Sequence, residues 1–138
     1  MPELFGHKSL ALFDLWSVAH FLTGCGLVYV FHAIGRVRRT SVEAKLVLVL
    51  LISCTWELVE MYLELGLGGA AVAVWFDGVE HPANRILTDQ MLFLAGFALT
   101  LRHRWAALPA KAASATWLFV HVVFLPHSMY LQEWWARA

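Results

Sequence analysis

Residues 44–63 read AKLVLVLLISCTWELVEMYL, an apolar run that carries Glu57 and Glu60 in its second half. About 20 such residues are what a helix needs to cross roughly 30 Å of hydrocarbon. Three more stretches of similar length flank it. Leu15 to Ile34 contains only His20 and His32 as ionisable groups, a third begins at Pro82 or Ala83 and ends near Leu101, and a fourth runs from Lys111 to Tyr130 with His121 inside and Pro126 near its far end. Pro82 suits a first helical turn, where a missing N–H costs nothing. Between the second and third runs, residues 65–76 are apolar and rich in glycine (Gly66, Gly68, Gly69), too short to cross as a helix. They read as an interfacial or re-entrant piece. The predicted fold is all-α: one transmembrane domain over 1–138, a bundle of four helices at about 15–34, 44–63, 83–101 and 111–130.

Composition agrees. Of 138 residues 60% are hydrophobic and 14% charged, with seven Trp and nine Phe, more apolar surface than a soluble domain of this size can hide. The formal net charge of zero gives no electrostatic basis for binding nucleic acid. Cys25 and Cys54 sit inside apolar runs and read as small packing residues, not a disulfide or zinc framework. No small-residue cleavage site follows the first residues, so the first apolar segment is expected to be retained. Trp134-Trp135 reads as an interfacial anchor.

Basic residues set the orientation. Arg36, Arg38, Arg39 and Lys45 follow the first run and Arg102, Arg104 and Lys111 the third, whereas Lys8, Arg85 and Arg137 fall on the other side. The positive-inside rule places both basic loops in the cytoplasm and both termini outside, as in a bacterial inner membrane protein. Nine of the ten acids (Glu3, Asp14, Glu57, Glu60, Glu64, Asp77, Glu80, Asp89, Glu133) then lie on or near the external side, with Glu43 alone among the basic loops. At about 1.5 Å per residue, His20, Glu57 and Asp89 fall roughly 8–9 Å below the outer helix ends, His127 about 5 Å and His121 about 13 Å. An isolated carboxylate facing lipid at that depth costs several kcal/mol, so these groups are expected to face one another or a wet cavity.

Glu57, Glu60 and Glu64 lie within a sector of about 60° on one helix. Such a stripe of like charge needs a bridging cation, a retained proton, or the escape of Glu64 into water as an interfacial residue; the last is the reading preferred for Glu64. Asp14 is either an N-cap or part of the chemistry. His20, on the same face as Trp16 and the small Gly24, is a ligand or base, or a neutral side chain bonded to one carboxylate. Asp77, Glu80, His81 and Asn84 precede or open the third helix; the first three are expected to be water-accessible, forming with the glycine-rich stretch a cap over the bundle mouth, while Asn84, on a different face from Asp89, either faces the cavity or caps a turn. Arg85 and Asp89 form an i,i+4 pair or an anion-holding arginine beside an acid. A divalent metal could be held by Glu57, Glu60, His20, His81 and His127; acid–base work would fall to Glu57, Glu60, Asp89 and His20. Hydrolase motifs such as His-Glu-x-x-His, a serine elbow or a phosphate-binding glycine loop do not occur.

Asp14…His20, Trp56-Glu57-x-x-Glu60, and Asn84…Asp89 followed by Gly96 resemble the small VanZ-like and YjdF-like bacterial membrane proteins over roughly residues 14–100. That resemblance implies envelope or lipid-linked work. Three functions compete: a metal-assisted or acid–base enzyme acting on a lipid or lipid-linked substrate; a non-enzymatic subunit or ion- or cofactor-binding protein; and an ion or proton carrier, disfavoured because the inner helix halves hold few polar side chains. Membrane lipids are the expected partners, together with further copies of the chain or other membrane subunits.

Overall fold

The structure is a computed structural model that describes residues 2–76 and 78–123, the side chains of 121 and 122 excepted. Asp77, His121 as a side chain, Pro126, His127 and Trp134-Trp135 lie outside the described residues.

The chain is mostly helical. Helix α1 spans Leu15–Ala33, a single turn α2 Gly35–Arg38, α3 Val42–Glu64, α4 Ala70–Phe76, α5 Asp89–Arg102 and α6 Ala107–Val123, the last after a 3₁₀ turn Arg104–Ala106. A π-helical turn, Asn84–Thr88, runs directly into α5, so the backbone coils without a break over 82–102. One departure from an all-helical chain is a parallel ribbon of two three-residue strands, β1 Glu3–Phe5 and β2 Ala11–Phe13, with Glu3 opposite Ala11 and Phe5 opposite Phe13. The glycine-rich stretch forms the short α4, entered through Gly66 and Gly69 at positive φ, where a side chain would be strained.

Local chemistry accounts for the helix ends. Asp14 caps α1 in a reciprocal box: the Ser17 N–H donates to Asp14 Oδ1 at 2.9 Å, and the Asp14 N–H donates to Ser17 Oγ at 3.1 Å. Ser41 caps α3 by accepting the Ala44 N–H. His81 caps the third helix with its ring, Nδ1 accepting the Ala83 N–H at 3.1 Å.

Helices α1 and α5 run in the same direction and nearly touch at two glycines. A Cβ on Gly24 would stand 2.1 Å from the Phe93 carbonyl oxygen, and one on Gly96 would stand 2.1 Å from that of Phe21. The expected close approach at Gly24 is therefore present, and its counterpart is Gly96. Phe31 stacks edge-on against Phe97 lower down, so the Arg36–Arg39 loop and the Arg102–Arg104 turn share the lower end of the bundle.

Burial is inverted relative to a water-soluble protein. On α3 the buried residues are Val49, Ser53, Glu57, Glu60 and Glu64, one stripe that is polar over most of its length, while Leu50, Leu51, Leu58, Val59 and Tyr62 face outward. Helices α1 and α3 are long and apolar enough to cross a membrane, and only 33% and 22% of their most apolar windows are buried. A core helix of a soluble protein would show the opposite. The interior has two halves: Val28, Phe31, Val49, Phe93 and Phe97 fill the lower one, and charged side chains fill the upper one.

Candidate functional site

Among the described residues, six carboxyl groups are buried in the upper half: Asp14, Glu57, Glu60, Glu64, Glu80 and Asp89. Two fixed cations are buried with them. Arg85 reaches three acids, with Nε 3.4 Å from Glu57 Oε2 and Nη2 2.6 Å from Glu64 Oε2 and 3.3 Å from Glu80 Oε2. Lys8 donates to Glu64 Oε1 at 2.7 Å and lies 5.5 Å from the centre of the Phe76 ring. The ribbon at the N-terminus places it there, and the His81 N–H donating to the Lys8 carbonyl at 2.9 Å ties that ribbon to the start of the third helix.

Several expectations need correction, beginning with Glu80, which is buried and not water-accessible. Glu64 is not interfacial: it is buried, held by Lys8 and Arg85, and accepts the Glu80 N–H through Oε2 at 3.0 Å. The chain itself supplies the cations that let the stripe stay dry. Arg85 does not pair with Asp89 along its helix but reaches across to α3. The π turn is the reason. Its i→i+5 hydrogen bond, Asp89 N–H to the Asn84 carbonyl, puts residues five apart on one face, so Asn84 and Asp89 both point inward with 0% exposure. An α-helical period had put them on different faces.

Asn84 bridges two acids, its Nδ2 donating to Glu80 Oε1 at 2.7 Å and to Asp14 Oδ2 at 3.3 Å. Ser17 Oγ lies 3.5 Å from Asp89 Oδ1, linking the α1 cap to α5. His20 sits between two carboxylates: Nε2 is 3.0 Å from Glu57 Oε1, and Nδ1 is 3.4 Å from Asp89 Oδ1 and 3.0 Å from the Trp16 carbonyl. His20, Glu57 and Asp89 offer donor atoms within 4.8 Å of one another and could hold a metal ion. Glu60 is buried beside them with Oε2 lacking a hydrogen-bond partner among the described residues. His81 does not join them, since its ring is used at the helix start.

Burial pushes the Asp14 carboxyl up, against the pull of its capping hydrogen bonds. Glu80 is pushed from 4.5 to about 11, first by burial and then by the neighbouring Asp89 carboxylate. A proton kept on Glu80 turns an acceptor-only group into a donor toward Asp89, which suits Asp89 Oδ2, an atom without a hydrogen-bond partner among the described residues. The folded chain then binds a proton that the unfolded chain releases. The stability this group contributes is whole below about 4.5 and declines as pH rises toward about 11. Glu80→Gln keeps a permanent donor. We expect it to melt above wild type at pH 9 in detergent and to show a flatter dependence of Tm on pH; a steeper one would refute the protonated form.

Two hollows flank the cluster. A cavity of about 260 Å³ is bounded by Trp16, Trp56, Phe93, Trp117 and Leu118, with His20 in its wall. On the opposite side, a groove between α3 and the third helix is lined by Cys54, Leu58, Met61 and Ile86, with Glu57 and Arg85 at its base. Both cysteines are free, Cys25 buried and Cys54 exposed in this groove, so only the first is a packing residue.

Comparison with protein-family models, curated proteins and solved structures returned no match. The site therefore speaks through its geometry. Lys8 was missed from sequence because a lone lysine before an apolar run looks like a solvated flank; its one signal was that it and Arg85 stand alone as bases among the upper-side acids up to Asp89.

Proposed function

We propose that the chain is a multi-pass bacterial inner membrane protein that binds a lipid or lipid-linked envelope substrate in the tryptophan-lined cavity and acts on it by acid–base or metal-assisted chemistry. One observation carries this reading: His20 belongs both to the wall of an apolar cavity and to the buried acidic cluster. An amphiphile whose chain lies against Trp16, Trp56 and Trp117 would bring its polar end to His20, Glu57, Glu60 and Asp89. Carboxylates beside an imidazole in a dry site suit proton transfer at that end.

The membrane placement has its own support. The helical run over 82–102 is about 31 Å long, enough to cross beside α1 and α3. Helix α6 supplies the start of a fourth crossing, and both basic loops lie at one end, which becomes the cytoplasmic one. The ionisable and amide residues that carry the VanZ-like resemblance, Asp14, His20, Glu57, Glu60, Asn84 and Asp89, are buried in one half of the bundle. A non-enzymatic role as a subunit is favoured by a different feature, the Cys54–Gln90 groove, where Glu57 and Arg85 come near the apolar exterior and a neighbouring helix would cover them.

Lipid analysis of membranes separates the two. Cells expressing wild type and Glu57→Gln at equal levels are expected to differ in an envelope lipid or lipid-linked intermediate. Identical lipid profiles, with a partner chain that co-purifies with wild type and not with the variant, would assign the assembly role instead. Orientation is read by single-cysteine labelling in a Cys54→Ser background. With the remaining Cys25 buried, Val79→Cys should react with an impermeant maleimide from outside, and Arg38→Cys only after lysis; the reverse pattern would overturn the topology.

A further inference from the structure

We propose that His20, Glu57 and Asp89 form a binding site for a divalent transition-metal ion of the zinc class. The inference deepens the proposed function by naming the ion at that site, and it rests on that reading only for the site's location in a membrane.

Three observations lead to it. The first is the histidine's own hydrogen bond. Nδ1 lies 3.0 Å from the Trp16 carbonyl, so in the neutral ring the proton resides there and Nε2 carries a lone pair. A ligand histidine is commonly fixed in this way, its other nitrogen donating to a carbonyl.

The second is what Nε2 faces. Glu57 Oε1 is 3.0 Å away, an ion pair when the ring is protonated and, in the neutral ring, an oxygen set against a lone pair, with neither atom aligned for another hydrogen bond among the described residues. His20 is 4% exposed and Glu57 5%, so water cannot easily relieve the contact. A ring nitrogen of His20, an oxygen of Glu57 and an oxygen of Asp89 all lie within 4.8 Å of one another. Ligand atoms about 2.0–2.2 Å from a common zinc ion stand about 3.5 Å apart in a tetrahedral shell, so modest side-chain shifts would close the three onto one ion.

The third is charge. Among the described residues, Asp14, Glu57, Glu60, Glu64 and Asp89 are buried with only Lys8 and Arg85 as fixed cations. Both of these are committed to the Glu64 side, Arg85 reaching Glu57 through Oε2 and leaving Oε1 toward His20. Asp89 receives neither. A divalent ion at His20 would offset charge where the chain's own cations do not reach.

The donor set selects the class of ion. Calcium and magnesium take all-oxygen shells, calcium with six or more ligands. One imidazole and two carboxylates in an enclosed site suit zinc and its neighbours and leave room for a further ligand. The cavity that shares the His20 wall gives that ligand a route from the bilayer.

The full chain, purified in detergent, stripped with chelator and returned to zinc or cobalt, tests the site without any substrate. Wild type should take up about one equivalent by elemental analysis, and the cobalt form should show ligand-field absorption of a nitrogen–oxygen site. His20→Ala and Asp89→Asn should each lose affinity by more than the ~10–100-fold that outer partners command, while His32→Ala binds as wild type. Asp89→Asn is nearly isosteric and keeps the assay meaningful if His20→Ala melts early. A wild-type protein with a cooperative melt that takes up neither metal, or a His20→Ala protein that keeps its equivalent, would overturn the proposal. A metal-free protein that still alters envelope lipids would leave the proposed function standing.

Discussion

Arg85→Leu should be the most damaging single change to the fold, at about 3–5 kcal/mol, the usual cost of stranding buried charge. Its guanidinium touches Glu57 and Glu64 on α3 and Glu80 in the loop that follows α4, so its loss leaves three acids short of a partner at once. Thermal denaturation in detergent gives the measure. Arg85→Lys should recover only part, because a single ammonium cannot present the spread of donors that reaches Nε and Nη2 contacts 2.6–3.4 Å long. Arg85→Leu combined with Glu64→Leu should be milder than Arg85→Leu alone, since the acid that depends on it most closely goes too. A double variant as unstable as the sum of its parts would mean that the two side chains do not act on each other.

The second large effect is expected at the helix crossing. Gly24→Ala sets a methyl 2.1 Å from the Phe93 carbonyl oxygen, an overlap with backbone that no rotamer relieves. The axes of α1 and α5 must separate, at about 1–3 kcal/mol or more. Gly96→Ala meets the mirror-image obstacle at Phe21 and should cost a similar amount. Because either substitution opens the same gap, the double variant should be markedly less destabilised than the sum of the two. Strict additivity would show that the glycines act at independent contacts. His20 lies one turn above Gly24 and Asp89 one turn above Phe93, so both variants should also weaken zinc binding while every ligand is still present.

Much of this was legible in the sequence. Helix length follows from hydropathy, and a carboxylate inside an apolar run has few places to go, so Glu57, Glu60, His20 and Asp89 pointed inward on cost alone. What escaped were effects that a regular 3.6-residue period cannot express. The π turn re-aims Asn84 and Asp89 onto one face, and nothing in Asn-Arg-Ile-Leu-Thr announces it. Glu64 was assigned to the interface because one helix read alone offers it only like charges. Its partners come from residues 56 positions earlier and 21 later. Lys8 arrives through a parallel ribbon of two three-residue strands, too brief to leave an alternating pattern.

The phenylalanine layer under His20 has one more consequence. Phe93 lies 6.2 Å from the imidazole, ring centre to ring centre, and below it Phe31, Phe97, Val28 and Val49 close the space between the helices. Among the described residues, the charged half of the interior therefore ends on an apolar floor, which would bar a bound ion from passing on toward the basic end of the bundle.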